Sequence, residues 1–341
     1  MRKLLLIAVF ISAFFLNSFA QRTADIGFAT GVVNYVGDLG NEKNFPISSA
    51  SPGCEITIRN FLNNPAKSGK MYQPLSMEMR FSWHRLQYDE TDPIGSRSGA
   101  QLRNYGRGIG FRNDLFGASL NFTYTFYKNK YLPLYKSKRK WCYFLLAGVG
   151  VYHGTPKADL FHGDINLANR YFQWDDGTIR DAQQNKNGIG NIIQKDGVYE
   201  TNLNEWHTEG QGSNAEINSK KPYNTTNIGF PLGFGIRYGL NKYVTFSMEV
   251  DYYYFLTDYL DDVSDRYATY KEIQASFPEP GKYELAKYIS DPSSKGTGGV
   301  VEGSSPRGNP KLKDSYTFIS LEVSYKFKLK KKGLWSNLSM K

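Results

Sequence analysis

The stretch Ala118-Ser119-Leu120-Asn121-Phe122-Thr123-Tyr124-Thr125-Phe126 alternates without a break. Successive side chains of an extended strand point to opposite faces, so Ala118, Leu120, Phe122, Tyr124 and Phe126 share one face and Ser119, Asn121, Thr123 and Thr125 the other. The same beat returns before and after it, giving eight candidate strands. The first runs from about Asp25 to Val36 and the second from about Cys54 to Leu62. The third sets Leu75, Met77, Met79, Phe81 and Trp83 against Ser76, Glu78, Arg80, Ser82 and His84, and Ala118–Phe126 is the fourth. The fifth, about Trp141 to Tyr152, is apolar on both faces, with Gly148 and Gly150 marking its inner side. The sixth sets Phe230, Leu232, Phe234, Ile236 and Tyr238 against Pro231, Gly233, Gly235, Arg237 and Gly239. The seventh opposes Val244, Phe246, Met248, Val250, Tyr252 and Tyr254 to Thr245, Ser247, Glu249 and Asp251. The eighth opposes Ile319, Leu321, Val323, Tyr325 and Phe327 to Ser320, Glu322, Ser324 and Lys326.

Two architectures satisfy this pattern. A soluble sandwich would turn the apolar set inward and leave the charges in water. A membrane barrel would turn the apolar set toward lipid and pack Glu78, Arg80, Arg237, Glu249, Asp251, Glu322 and Lys326 into a narrow lumen as carboxylate–cation pairs. The connections favour the barrel. Asn63 to Gln73, Tyr127 to Lys140 and Leu240 to Lys242 are short, whereas 87–111, 153–227 and 257–315 are long. Short and long links in alternation put all turns at one end and all long loops at the other, the asymmetry of outer-membrane barrels. The expectation is therefore an all-β fold, an eight-stranded antiparallel transmembrane outer-membrane β-barrel with long extracellular loops. Pro231 pulls the other way, because proline has no N–H for a ladder and a closed barrel has no edge; the reading places it near the outer rim.

Residues 1–20 read as a secretory signal peptide: Arg2 and Lys3, an apolar stretch from Leu4 to Leu16, and Ser18-Phe19-Ala20 before Gln21. Residues 21–329 then form a single barrel domain and 330–341 a basic periplasmic tail, with the protein in the outer membrane of a Gram-negative cell. No cysteine follows the cleavage site to carry a lipid anchor, and no apolar segment is long enough to span a bilayer as a helix. A membrane protein of this kind must be a closed barrel, which alone satisfies every backbone group without helices. The 341 residues have a negative mean hydropathy, a poor witness for a chain whose strands are only half apolar. An aromatic content of 15%, with 25 tyrosines, fits interfacial girdles and fits a sugar-binding sandwich equally. Cys54 and Cys142 lie on strands distant in sequence and read as small apolar side chains rather than a disulfide.

The formal charge is +10, and two of those units leave with Arg2 and Lys3. Much of the rest clusters at the short-turn end, in Lys128, Lys130, Lys136, Lys138, Arg139 and Lys140 and again in Lys326, Lys328, Lys330, Lys331 and Lys332. These groups would hold anionic lipid headgroups or dock an acidic periplasmic partner. Export argues against nucleic acid. The histidines His84, His153, His162 and His207 have no metal-ligand spacing, and His84 falls in the lumen phase, where a polar-network role is expected. No serine–histidine pair stands on the outward face for lipid hydrolysis, and Gly106-Arg107-Gly108-Ile109-Gly110 precedes a strand rather than opening a helix, so it is a weak phosphate cradle. Asp258, Asp261, Asp262 and Asp265 concentrate just beyond the seventh strand; they read as a calcium loop or, better, as solvated or hydrogen-bonded loop carboxylates. No catalytic residue and no cofactor is expected.

Three blocks carry a family resemblance: Gly31-Val32-Val33-Asn34-Tyr35-Val36-Gly37-Asp38-Leu39, Gly229-Phe230-Pro231-Leu232-Gly233-Phe234-Gly235-Ile236-Arg237-Tyr238, and Asp258-Tyr259-Leu260-Asp261-Asp262-Val263-Ser264. In order and spacing they resemble the PorG-type outer-membrane proteins of the type IX secretion system in Bacteroidetes. The resemblance implies a small non-enzymatic outer-membrane barrel associated with a periplasmic ring built from the PorK lipoprotein and PorN, for which the basic rim would be the contact. It supplies no catalytic motif. The alternative function is a surface barrel that binds a ligand or polymer through Tyr171, Phe172, Trp174 and Trp206 in the outer loops.

Overall fold

The computed structural model describes residues 23–40, 49–62, 74–90, 92–98, 105–129, 131–213, 221–294 and 306–328. The signal peptide 1–20, the tail 330–341 and Lys130 lie outside the described residues. The alternating segments form eight long strands: β1 (Thr23–Val36), β2 (Ser51–Phe61), β3 (Leu75–Asp89), β4 (Gly110–Phe126), β5 (Trp141–His153), β6 (Thr226–Gly239), β7 (Val244–Phe255) and β8 (Ser315–Lys328). Each pairs antiparallel with its sequence neighbour, and β1 pairs with β8 from Thr23↔Lys328 to Val36↔Ser315. That last ladder closes the sheet and leaves no edge.

Closure gives the two phases of every strand different solvents. Phe28, Phe122, Leu145, Leu232, Phe234, Met248, Leu321 and Val323 stand on the outward phase and are among the exposed large apolar side chains, Leu321 at 64%. No soluble sandwich presents its main apolar phase to the outside; a barrel in hydrocarbon does. Tyr124, Phe126, Tyr143, Tyr238, Tyr243 and Tyr325 gather at the turn end, and Phe116, Tyr252 and Tyr254 at the loop end, as interfacial belts. No helix among the described residues is long and apolar enough to cross a membrane.

The strands exceed the ~9–11 residues that a tilted strand needs to cross a bilayer. The β3–β4 ladder runs out to Asp89↔Gly110, so the ends of the connection at 87–111 are strand rather than loop. Pro231 lies in the wall, not at a frayed rim. It pairs with Tyr253 of β7, while the β6–β5 ladder skips from Gly229↔Gly150 to Leu232↔Ala147 and resumes in the same register. The missing N–H therefore costs one local interruption on the β5 side.

The long connections fold into a dome over the outer end. Short two-residue strands link β4 to the β5–β6 connection, and two helices, α1 (Tyr270–Ser276) and α2 (Pro280–Ser290), sit in the β7–β8 connection. A capping box starts α1: the Thr269 hydroxyl accepts from Glu272 N, and Glu272 accepts from Thr269 N. The main apolar cluster runs from the outer lumen residues Val33, Tyr35, Phe255 and Phe318 into the dome through Leu160, Phe161, Leu203, Val263 and Ile289.

Candidate functional site

Eight strands enclose an interior only wide enough for side chains to fill it. At Gly233 a Cβ would overlap Asp251, so glycine there makes room for a carboxylate. The inner half of the lumen is a charge network in which Glu55, Arg59, Glu78, Arg80, Arg237, Glu249, Asp251 and Glu322 are all 5% exposed or less. Arg80 is its centre, with Nη1 at 3.2 Å from Glu55 and 3.1 Å from Asp251, and Nη2 at 2.9 Å from Glu78 and 2.8 Å from Glu249. Arg59 reaches Glu78 at 2.6 Å and Glu322 at 3.0 Å, and Arg237 reaches Glu78 at 3.0 Å. Three guanidinium groups thus serve five carboxylates, helped by the Thr123 hydroxyl donating to Glu78 and the Tyr253 hydroxyl donating to Glu55. Planar guanidinium forks suit this sharing better than ammonium groups would. Lys326 is not part of the network. It lies at the inner mouth, across the ladder from Asp25, with its ammonium 4.4 Å from the Phe61 ring centroid.

Toward the dome the lumen turns aromatic. Tyr253 stacks on Tyr316 at 4.5 Å, Tyr152 meets Phe255 edge-on, and His84 Nδ1 lies 2.8 Å from the Tyr316 hydroxyl. His84 Nε2 is 3.4 Å from Glu55, so the histidine joins the two layers, the network role expected from its phase. Filled in this way, the barrel is a plug rather than a conduit.

The aspartates beyond β7 belong to the dome's buried frame. Asp258 accepts from the Ser264 hydroxyl at 2.7 Å, and Asp261 accepts from the Tyr35 hydroxyl and from Val263 N. Asp262, with φ of 71°, accepts from the Thr208 and Tyr223 hydroxyls at 2.7 Å and pairs with Arg307 at 3.2 Å. Asp265 is held through its own N–H, which donates to Glu209. Tyr259 stacks on Tyr223 with ring centroids 4.6 Å apart, and Leu260 is buried. The carboxylates face four separate partner sets, and no group of three or more His, Cys, Asp or Glu among the described residues could hold a metal ion. The calcium reading falls on that divergence, and the loop is buried rather than solvated. Burial pushes the Glu209 carboxyl up to about 7 against the pull of Arg307, and burial with Asp38 nearby holds Asp261 well above the usual carboxylate range.

The glycine-rich stretch has a similar use. Gly106 and Gly108, with φ of 69° and 70°, bracket Arg107, whose guanidinium pairs with Glu90 at 2.5 Å and donates to the Arg307 carbonyl at 2.6 Å. Of the outer-loop aromatics expected to grip a ligand, Tyr171 and Trp174 are buried in the dome; Trp206, half-buried, packs on Phe277, and Phe172, also half-buried, lies beneath Arg170. They build the dome rather than line a shared surface.

At the opposite end, Lys128, Lys136, Lys138, Arg139 and Lys140 are all exposed on the β4–β5 connection. Lys128, Lys138, Arg139 and Lys140 line one open concavity with Trp141 and Tyr238, and the Arg139 guanidinium lies 4.6 Å from the Trp141 ring centroid. Lys330, Lys331 and Lys332 lie outside the described residues. Sequence reading missed Glu55 and Arg59, although their phase opposite Cys54, Ile56 and Ile58 marks them as lumen residues. It also missed Glu209 and Arg307, which no periodic signal marks.

The closed ladder, the apolar girdle and the turn–loop asymmetry define the class: an eight-stranded outer-membrane β-barrel protein. No family model and no curated protein matches the chain. Among solved structures it is similar to Neisserial surface protein A (9% identity, TM-score 0.34, 90% of this chain and 100% of that one). It is also similar to the attachment invasion locus protein Ail of Yersinia pestis (7% identity, TM-score 0.31, 90% and 99%) and to OprG of Pseudomonas aeruginosa (11%, 0.30, 91% and 98%).

Proposed function

We propose that this chain is a non-enzymatic outer-membrane component of a type IX protein secretion system, docking a periplasmic ring complex through its basic inner rim. The observation that carries the reading is the run of exposed cations Lys128, Lys136, Lys138, Arg139 and Lys140 on one connection, at the end of the barrel opposite the dome. A lumen filled by buried ion pairs and stacked rings argues against passage through the barrel and favours its two ends as working surfaces. The sequence resemblance of the three blocks supplies the identity of the machine, and charge complementarity supplies the contact, an acidic face of the ring lipoprotein or its ring partner. Rim cations also meet anionic headgroups of the inner leaflet, and that contact orients the rim without competing for its tip. A photo-crosslinking residue in place of Lys138 in intact cells tests the reading. It predicts an adduct with a periplasmic ring subunit that is lost when Arg139 and Lys140 are reversed to glutamate. Unchanged secretion in a strain lacking the gene would reject it.

A further inference from the structure

The inner mouth of the barrel holds a cavity of 400 Å³, within the roughly 300–1,000 Å³ typical of ligand sites. Its wall is the last inward turn of the lumen. Asp25 of β1 lies across the ladders from Arg59 of β2 and Lys326 of β8, while Arg237 comes from β6 and Lys242 from the β6–β7 turn. A 3₁₀ turn, Leu134–Lys136, leans over the end of β6, where a Cβ on Gly239 would come within 3.0 Å of Tyr135 N. The mouth is thus partly roofed, not an open funnel.

Its charge is unbalanced. Four cations line it against the single carboxylate of Asp25. Arg59 and Arg237 both reach Glu78 in the network behind them, and Arg59 Nη1 also stands 4.0 Å from Asp25 Oδ2. Among the described residues, neither Lys242 nor Lys326 comes within salt-bridge distance of a carboxylate; their ammonium groups rest on the rings of Tyr243 and Phe61. Two buried atoms at the same level, Arg237 Nε and Asp25 Oδ1, have no hydrogen-bond partner among the described residues. One is a donor in want of an acceptor and the other an acceptor in want of a donor. A simple anion answers only the first, whereas a peptide brings carboxylates and N–H groups together.

We propose that this vestibule is a binding site for an extended acidic peptide segment of a periplasmic partner, whose carboxylate side chains meet Lys242 and Lys326. The proposal rests on the docking reading and deepens it, adding an insertion site on the barrel axis to the contact at the rim. The innermost lining, Asp25, Arg59, Arg237 and Thr245, faces the lumen, away from the headgroups that surround the wall, so a lipid headgroup does not reach the unpartnered buried atoms. A low-dielectric wall around converging cations focuses their field on an entering carboxylate.

The test is a titration of the full chain, in phosphatidylcholine nanodiscs, with a fluorescein-labelled tetraglutamate peptide. Saturable binding is expected, weakened roughly tenfold or more by Lys242→Glu with Lys326→Glu and retained when Lys138, Arg139 and Lys140 are reversed. Thr245→Trp, which fills the cavity without changing charge, gives the same loss and guards against a misfolded charge variant. Failure of the peptide to bind, loss in the rim variant with retention in the vestibule variant, or complete displacement by equimolar inorganic phosphate would each overturn the proposal. The rim is judged separately: an unchanged crosslink from position 138 alongside any of these failures removes the vestibule and leaves the docking surface standing.

Discussion

The Tyr35 hydroxyl of β1 donates a hydrogen bond to the Asp261 carboxylate, which lies 226 residues further along the chain. The bond joins the first and third of the blocks that carry the family resemblance, and ties the outer end of the barrel wall to the dome above it. Asp38, in the same block as Tyr35, accepts from Asn309 N at 3.0 Å, so the seam holds at more than one point. Tyr35→Phe removes the donor and leaves a buried carboxylate short of a partner, at a cost of about 1–3 kcal/mol. The expected outcome is a dome that proteases cut faster while the barrel keeps its heat-modifiable gel shift. Equal loss of both would show that dome and barrel do not separate.

Glu209 sets a pH dependence for the dome. Its carboxyl is pushed up from 4.5 to about 7 by burial, so the folded dome binds a proton that the unfolded chain releases. A raised folded pKa contributes stability that is fully present below 4.5 and is lost as pH rises through about 7. The dome should therefore unfold more readily at pH 8 than at pH 5, by on the order of 1–3 kcal/mol. Urea titrations at the two pH values measure the difference. Glu209→Gln, which keeps an acceptor for Ser264 N, should reduce it and leave the share of Asp261, a carboxyl raised in the same direction; a slope of the opposite sign would contradict the burial argument.

Arg80 holds four carboxylates at salt-bridge distance, and of these Glu249 and Asp251 meet no other arginine among the described residues. Arg80→Leu leaves Glu249 and Asp251 without an arginine and Glu55 with only its Tyr253 and His84 contacts, and breaking one side of a buried ionic network costs about 3–5 kcal/mol. Refolding into detergent, followed by a urea midpoint, should show that loss or a failure to assemble. Arg80→Lys should fall between the two, since a point charge cannot form both forks.

Leu321 stands at the middle of β8 on the outward phase, and Leu312 is 58% exposed in the dome connection. In lipid, Leu321→Arg should cost about 2–4 kcal/mol, and Leu312→Arg should stay within about 0.5 kcal/mol. Paired refolding titrations in liposomes compare them directly. Equal small effects would mean that Leu321 faces water.

The strands were legible because period-2 alternation is a local signal, and the phase of each strand named its lumen residues wherever the outward set was unbroken. Glu55 and Arg59 were readable by the same logic from Cys54, Ile56 and Ile58. The dome was not legible. Glu209, Arg307 and Asp262 meet through loops without periodicity, so the aspartates after β7 read only as solvated or hydrogen-bonded loop carboxylates; the hydrogen bonds are there, but their burial carried no signal. Trp174 and Tyr171 looked like ligand-gripping aromatics for the same reason: a loop that folds into its own core hides that core from any pattern of spacing. Pro231 was visible as a conflict, but the one-sided interruption that absorbs it depends on which neighbouring strand the missing N–H faces.

Lipid contact along the outward phase underlies both the membrane setting and the docking function, and fractionation of the mature protein from its native cell tests that contact most directly. The prediction is that it stays with the outer membrane through a carbonate wash and enters solution only with detergent. Recovery as a monomer in plain buffer would contradict the barrel's membrane setting and the docking function built on it.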